Sequence, residues 1–588
     1  MKTTVLLILS YFLCTSAIQS QDFRHAMRIF PDSSKFNMVK DEFPAKEALS
    51  RKGWYYSVAG IVSTPSGYVA SCRRSDFHTA TFTDIMVAYS KDGRTWSGHH
   101  SIAHGDVWHD HGVWIAPQIS KLSNGRLVIV CDYGKRTTGQ DWPMLSDWQK
   151  PNRGMSNYLF WSDDEGKTWS EPQKVDDVGG EPGYITEMHD GKLIFTRTVS
   201  KKTDKLWNPP MPWGDIYYLS QTTRSLDGGK TWESPATLAD NPFIGDCEVG
   251  TVELGPDTLM AITRVGFGGG HIMQPSRFVY SLNGGASWDK PFLSPIFAQR
   301  PIVRKLKSGK LLAVYRNCYG TSGTYAFLFD RNEKFVYTPT TFIYNEDRCL
   351  MKNGIMTLNT GNKVVEYAFF GFYPAQSPDA VVTIEASLKV DQADANGCNI
   401  GAGCWVRFMP NRVCLADKPE LGFDIDATQW HDYKIVRGNG KITISVDGKE
   451  KLKAPINGLE NRMVTIGSRQ VKNFSWDDIG VEKNESSVKQ NSVSHWRALH
   501  VKVDNAEDYD IDWTWDSSKG YPDQFRRDRL VALDIIASPP GHCGYPSISQ
   551  DKDGKIIIAD YTVGGNGGTP SEMPFIRAYI TTEKELVK

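Results

Sequence analysis

One short pattern recurs along the chain and constrains the fold more than any other feature. Ser162–Trp169, Ser225–Trp232 and Ser281–Trp288 all fit S-x-D-x-G-x-T-W with conservative replacements, and Ser90–Trp96 is a copy one residue shorter. The chemistry is that of a hairpin turn. Asp or Asn with Gly supplies the bend and its backbone hydrogen bonds, and the aromatic packs the hairpin onto its sheet. A second repeat, a polar turn leading into an apolar strand, occurs at Ser66–Val69, Asn124–Val128, Asp190–Ile194, Pro256–Leu259, Ser308–Leu312 and Asp553–Ile557. These six copies predict six blades, since the first five recur at roughly 50 to 65 residues, a plausible length for a four-stranded blade with its loops.

The gap from Gly309 to Gly554 is several times longer, which predicts an inserted domain. Inside it the pattern changes to alternating strands, as in Ala380–Ala386 and Lys441–Lys449, the signature of a β-sandwich. Trp430–Val436 and Trp476–Val481 resemble a laminin-G or concanavalin-like lectin fold. The fold class is therefore all-β: a six-bladed β-propeller with an inserted jelly-roll, lectin-like sandwich. The expected divisions are a signal peptide over 1–20, blades 1–5 over 21–334, the insert over 335–488, and the last blade with the closure over 489–588.

Bulk properties narrow the function. Lys2 followed by the apolar run Val5–Leu13 and small residues up to Ala17 has the layout of a secretory signal peptide, which predicts a secreted or periplasmic protein. No later stretch is long and apolar enough to span a bilayer. Sixty-seven Lys and Arg against sixty-eight Asp and Glu leave no global field to recruit nucleic acid or an anionic membrane. Ten cysteines without paired CxxC spacing predict neither a disulfide scaffold nor a zinc site. They read as small buried hydrophobes, with a disulfide open among Cys349, Cys398, Cys404 and Cys414. No phosphate-loop or nucleotide motif is present, so neither cofactor nor metal is expected.

The turn-plus-strand repeat joins the first and second strands of a blade, so residues flanking it lie at the end where loops converge on the central funnel. Before the repeats stand Tyr56-Ser57, Trp114, Glu181–Tyr184, Asp246-Cys247-Glu248, Gln299-Arg300 and His542–Tyr545. After them stand Arg73–Asp76, Asp132-Tyr133, Arg197, Arg264, Arg316 and Asp560-Tyr561. Arginine at the end of the second strand in four of six blades, with Arg300 opposite, implies an anionic ligand, because guanidinium forks match carboxylate, sulfate or phosphate.

These residues resemble the sialidase (neuraminidase) family. The hairpin repeats look like that family's Asp boxes. Glu248–Leu254 followed by Arg264 resembles its catalytic glutamate and a carboxylate-binding arginine, and Tyr315-Arg316-Asn317 its further arginine. Gly544–Ile548 is similar to the strand that holds the family's tyrosine nucleophile. The resemblance implies an exo-acting, retaining glycosidase that releases a terminal sialic or related ulosonic acid from glycans. Tyr545 would be the nucleophile, Glu248 its base and Asp76 the acid/base, with Asp84 and His78 as rivals for that role, Arg264 and Arg316 on the carboxylate and Arg300 or Arg74 as third arm; Arg197 and Trp114 complete the expected substrate wall. The sequence departs from the family where Ser57 stands in place of the first blade's Arg-Ile-Pro.

Two other classes stay open at this level. His99, His100, His104, His109 and His111, expected on a loop at the funnel end, together with His542, would suit a His-dependent hydrolase or lyase acting on uronic acids. A non-catalytic glycan-binding protein would use the arginines with Trp108, Trp114, Trp142, Trp148, Trp207 and Trp213.

Overall fold

The computed structural model describes residues 27–30, 54–135, 155–202, 216–265, 275–317, 323–535 and 543–588, apart from 77, 79, 243–244, 344–345, 361–362, 365–367, 373–378, 395, 457–463, 469–473, 477–481, 485–488, 507–508 and 564–573. The expected signal peptide, His542, Trp142, Trp148, Trp207 and Trp213 lie outside the described residues.

Six antiparallel sheets follow one another around a ring. Blade 1 comprises Tyr55–Thr64, Gly67–Ser75, Phe82–Ser90 and Ser97–Asp106. Blade 2 comprises Gly112–Trp114 with Gln118–Lys121, then Leu127–Lys135, Met155–Ser162 and Gln173–Lys174. Blade 3 is Thr186–Glu187, Leu193–Lys202, Ile216–Ser225 and Ala236–Ala239, and blade 4 is Asp246–Gly255, Thr258–Val265, Arg277–Ser281 and Phe292–Leu293. Blade 5 contributes Gln299–Lys305, Leu311–Asn317 and Gly323–Phe329, and takes Val531–Ile535 as its outer strand. Blade 6 is Cys543–Gln550, Ile556–Thr562 and Phe575–Thr581, with Met27–Arg28 as its outer strand. All six turn repeats fall between the first and second strands of their blades, as the sequence predicts.

The hairpin boxes explain themselves once this order is known. Each joins the third strand of a blade to the fourth, and only blades 1 to 4 have that connection as a hairpin. In blade 6 the fourth strand comes from the beginning of the described chain, which fastens the ring shut: Met27 pairs with Ala578 and Arg28 with Arg577. In blade 5 the chain leaves after Phe329 and returns only at Val531. Within a box the aspartate closes the turn. Asp164 accepts from the Thr168 amide at 2.9 Å and its hydroxyl at 2.7 Å, and Asp227 repeats this on Thr231 at 2.9 and 2.6 Å. The Trp232 ring then packs edge-on against Phe195 at 5.0 Å.

The excursion from blade 5 forms a seven-stranded and an eight-stranded sheet. Their inward side chains, Phe370, Ile400 and Val406 from one and Val382, Ile435 and Val501 from the other, share one buried cluster. The division expected at residue 489 is corrected: Ser492–Asp504 pairs along Val381–Ala393 and with Ile511–Asp516, so the excursion runs on to Asp516. The insertion point is corrected too, since it lies inside blade 5 rather than between blades 5 and 6. A strand that pairs with a sheet inside the excursion carries the same alternation as one in a blade, so periodicity could not mark this boundary. The eight described cysteines are buried and none of them is in a disulfide, so no bridge joins Cys349, Cys398, Cys404 and Cys414.

Buried charge secures the re-entry. Arg577 of blade 6 holds Asp560 at 2.8 Å and also binds Asp534 on the returning strand, while Thr324 donates to Asp560 at 2.6 Å. Around the ring, the innermost strands of neighbouring blades press together. A Cβ on Gly250 would stand 2.5 Å from the Pro301 carbonyl oxygen, and one on Gly183 2.6 Å from that of Val249. Gly250→Ala should therefore force blades 4 and 5 apart and cost about 1–3 kcal/mol, read as a lower midpoint in denaturant at unchanged slope.

Candidate active site

The innermost strands carry a repeated irregularity that builds the site. In blade 1 the register passes from Ser57↔Arg73 to Gly60↔Ser71, in blade 4 from Cys247↔Arg264 to Gly250↔Ile262, in blade 5 from Gln299↔Arg316 to Ile302↔Val314, and in blade 6 from Gly544↔Tyr561 to Ser547↔Ala559. Each is a bulge in which the first strand holds one extra residue. Blade 3 has the same offset, with Gly180 paired to Thr198 and the Gly183 amide bonded to Thr196. The residue after the break is left-handed every time: Val58 (φ 58°), Glu181 (49°), Glu248 (44°), Arg300 (47°) and Tyr545 (44°). Such a backbone is costly for residues with a Cβ and clusters where side chains must be aimed. Proline follows three of them, at 182, 301 and 546, where its missing N–H leaves no donor unpaired by the bulge.

Four blades thereby bring their side chains to one cluster. Tyr545 donates its phenol to Glu248 Oε1 at 2.6 Å, and Arg264 donates to Glu248 Oε2 at 2.5 Å and to the Tyr545 hydroxyl at 3.2 Å. Arg300 stands 3.7 Å from Glu248 Oε1 and 5.4 Å from the centroid of the Tyr545 ring. Arg316 lies 4.7 Å over the same ring, bonds Gln299, and reaches the Tyr561 hydroxyl at 3.4 Å. A Cβ on Gly544 would collide with the Arg316 side chain, so this approach requires glycine. Glu248 and Arg300 are buried, whereas Tyr545, Arg264 and Arg316 keep a partly exposed face.

The electrostatics separate two carboxyls. Burial alone would raise Glu248, but Arg264 and Arg300, with the bonds from Arg264 and Tyr545, outweigh it and hold the group below the usual carboxylate range. Glu181, in the equivalent position one blade back, is pushed up to about 8, first by burial and then by the charge of Glu248, against the opposing pull of Arg264 and Arg300. Burial, and next the Glu248 charge, raises the Tyr545 phenol well above its ordinary value, so the phenol holds its proton. Arg264 Nε is buried without a partner, a donor left over for an anion.

Tyr545, Glu248, Arg264, Arg316 and Arg300 are thus brought together. Arg74, Arg197 and Trp114 are placed elsewhere, and these are corrections. Arg74 lies on the opposite face of its strand, where it bonds Asp84 at 2.6 Å and covers Trp54 at 4.5 Å. Arg73 is the true counterpart of Arg264 and Arg316; it pairs across from Ser57 and donates to that hydroxyl at 3.1 Å. Arg197 is likewise one residue out of phase with Thr198 and bonds Asp176 at 2.5 Å. Both errors have one cause: side chains alternate along a strand, so a shift by one reverses the face. Trp114 is core, ringed edge-on by Tyr133, Tyr158 and Phe160 at 4.8 to 5.4 Å. Asp76 is buried, and its oxygens accept from the Thr81 amide at 2.9 Å and hydroxyl at 2.5 Å, so in this state it braces its own loop. Ser57 does not occupy the left-handed position of blade 1, which belongs to Val58.

Three of the histidines are not on a loop: His99, His100 and His104 lie on the outer strand of blade 1, and His104 bonds Asp84 at 3.0 Å, whereas His109 and His111 stand in the turn that leads from that strand to the first strand of blade 2. Among the described residues, His104, Asp106 and Asp110 bring ligand atoms within 4.8 Å of one another, an exposed group already engaged in its own hydrogen bonds. Glu181 and Arg73, which the sequence reading places at the funnel end without a role, take the left-handed bulge position of blade 3 and the place opposite Ser57. The signal for Glu181 was present in Glu181-Pro182-Gly183, which parallels Glu248-Val249-Gly250 and Tyr545-Pro546-Ser547.

The fold is a six-bladed β-propeller. Residues 75–317 match the BNR repeat-like domain family. No curated protein matches the chain in sequence. Among solved structures, the chain is similar to a protein of unknown function from Dyadobacter fermentans DSM 18053, at 13% identity and TM-score 0.41 over 59% of this chain and 93% of that one. It is similar to Trypanosoma rangeli sialidase at 11% identity and TM-score 0.35, over 76% of this chain and 92% of that one. It is also similar to the same sialidase in complex with sialic acid, at 11% identity and TM-score 0.35, over 80% and 96%.

Because Glu248 is buried against Arg264, removing one partner should strand the other. Arg264→Met is expected to cost about 3–5 kcal/mol of stability, and Arg264→Met with Glu248→Gln distinctly less than the two changes summed; a double-mutant cycle by denaturant unfolding measures the coupling.

Proposed function

We propose that this protein is an exported, exo-acting glycoside hydrolase of sialidase type, releasing a terminal sialic or related ulosonic acid from a glycan. The observation that carries the reading is the 2.6 Å hydrogen bond from Tyr545 to a Glu248 carboxylate kept ionised by Arg264 and Arg300. A phenol is a poor nucleophile until a neighbouring base removes its proton, and this pair is a nucleophile and its base at hydrogen-bond distance. A neutral tyrosine also suits an anomeric carbon that bears a carboxylate, where an anionic nucleophile would be repelled. The partly exposed Arg264 and Arg316, with the unpartnered Arg264 Nε, support a carboxylate-binding role.

In the first step the Tyr545 oxygen bonds to the anomeric carbon as the bond to the leaving oxygen breaks, and the phenol proton passes to Glu248. The leaving oxygen takes a proton from a carboxylic acid. Water then attacks the same carbon and gives a proton to the carboxylate that the acid left behind, the bond to Tyr545 breaks, and Glu248 returns its proton to the phenol, with net retention. The resemblance assigns the acid to Asp76, and the burial that raises its carboxyl supports a proton-holding role; to reach the leaving oxygen it must first release Thr81. The N-terminal apolar segment supports export, and the lectin-like pattern of the excursion supports a second glycan contact there.

Assay on natural and 4-methylumbelliferyl glycosides of sialic, deaminated ulosonic and uronic acids tests the reading. Release of a sialic-type sugar is expected, with Tyr545→Phe and Glu248→Gln each lowering kcat by about 10²-fold or more. Turnover of uronic-acid substrates alone, with Tyr545→Phe still active, would overturn it. If Asp76 is the acid, Asp76→Asn slows unactivated glycosides far more than those with the acidic 4-methylumbelliferyl leaving group; equal slowing of both removes it from that role.

A further inference from the structure

Glu181 has no role in the mechanism above, yet it occupies the same left-handed bulge position in blade 3 that Glu248, Arg300 and Tyr545 occupy in blades 4, 5 and 6. Its amide is tied to Asp132 Oδ2 of blade 2 at 2.9 Å, which fixes the backbone beneath the side chain. The Oε2 atom is sealed from solvent and has no hydrogen-bond partner. A buried carboxyl oxygen without a partner costs about 1–3 kcal/mol, and a fold that retains one at a strained backbone position has not been optimised for its own stability there. Three of the other four left-handed positions supply the cluster around Tyr545, and the fourth is the apolar Val58.

We propose that Glu181 is a specificity-determining residue of this same site, presenting its half-buried carboxyl, whose Oε2 has no partner, to a hydroxyl or carboxylate oxygen of the bound acidic sugar. The proposal rests on the functional reading above and deepens it. The charged and titratable groups that face Glu181 are Asp132 from blade 2, Tyr218 from its own blade, Cys247, Glu248 and Arg264 from blade 4, and Arg300 from blade 5. Of these, Glu248 is held ionised by its arginines, so a second anion beside it is disfavoured and Glu181 keeps its proton through neutral pH. A protonated carboxyl donates a hydrogen bond to an anionic ligand; once ionised it repels the same ligand. The site should therefore lose affinity for an acidic sugar as pH rises through about 8.

Two measurements on the full chain test this. The first is binding of N-acetylneuraminic acid by calorimetry between roughly pH 6 and 9. Glu181→Ala should bind about tenfold more weakly at neutral pH, the loss of one hydrogen bond to a charged group. Glu181→Gln, which cannot ionise, should bind nearly as wild type does and lose the weakening on the alkaline side. Equal affinity of wild type and Glu181→Ala, or an alkaline loss that persists in Glu181→Gln, would overturn the proposal.

The second measurement needs no ligand. A carboxyl raised on folding binds a proton in the folded state that the unfolded chain has already released, so it makes stability fall as pH rises from the ordinary carboxylate range to about 8. Thermal midpoints across that window should fall more steeply for wild type than for Glu181→Gln. Parallel slopes would overturn the assigned proton. Should no glycoside be hydrolysed while the slopes differ and N-acetylneuraminic acid binds as described, the hydrolase reading fails and the Glu181 assignment stands.

Discussion

The first-strand bulge is the constraint on which the rest of this molecule depends. A regular strand alternates its side chains, so no run of it can aim consecutive functional groups at an axis. One extra residue in a left-handed conformation breaks the alternation at the same height in blade after blade. In blades 3 to 6 that residue is Glu181, Glu248, Arg300 or Tyr545. The strain at each position is borne by the packing beneath it, where glycines at 183 and 250 let neighbouring inner strands approach. Ring closure matters for the same reason. Tyr545 can meet Glu248 only because Met27–Arg28 completes blade 6 and Arg577 ties Asp534 and Asp560 across the re-entry from the excursion.

The cluster that results is charged and asymmetric. Arg264, Arg300 and Arg316 surround the phenol of Tyr545, while one of the two glutamates is ionised and the other holds its proton. Such a site has a surplus of positive charge and, at Arg264 Nε, a buried donor without an acceptor. The proton of Tyr545 is held by burial and by the Glu248 charge. Under the proposed function Tyr545, Glu248 and the arginines would already stand in place when a substrate arrives, which would lessen the reorganisation around the phenol during reaction.

Much of the architecture was legible because it is written in turns. Each hairpin box is a local structure whose Asp, Gly and Trp satisfy one another within eight residues, and each Gly-containing turn opens a buried strand. Repetition turned these local signals into a blade count. The count of four boxes against six turns already held the answer to where the chain departs, since blades 5 and 6 take their outer strands from elsewhere. The end of the excursion was not legible, because pairing partners far apart in sequence decide which sheet owns a strand such as Ser492–Asp504.

By itself the sequence determined the all-β propeller, its six blades, the existence of an excursion and the candidacy of Tyr545, Glu248, Arg264, Arg300 and Arg316. These follow from local hydrogen bonding, periodicity and residue chemistry. Only the tertiary structure decided that Arg73 rather than Arg74 shares their face, that Trp114 is core, that Asp76 closes its own loop and that Glu181 joins the cluster. The reason is register: a single inserted residue reverses every side chain beyond it, and its position is set by contacts between strands that the sequence places far apart.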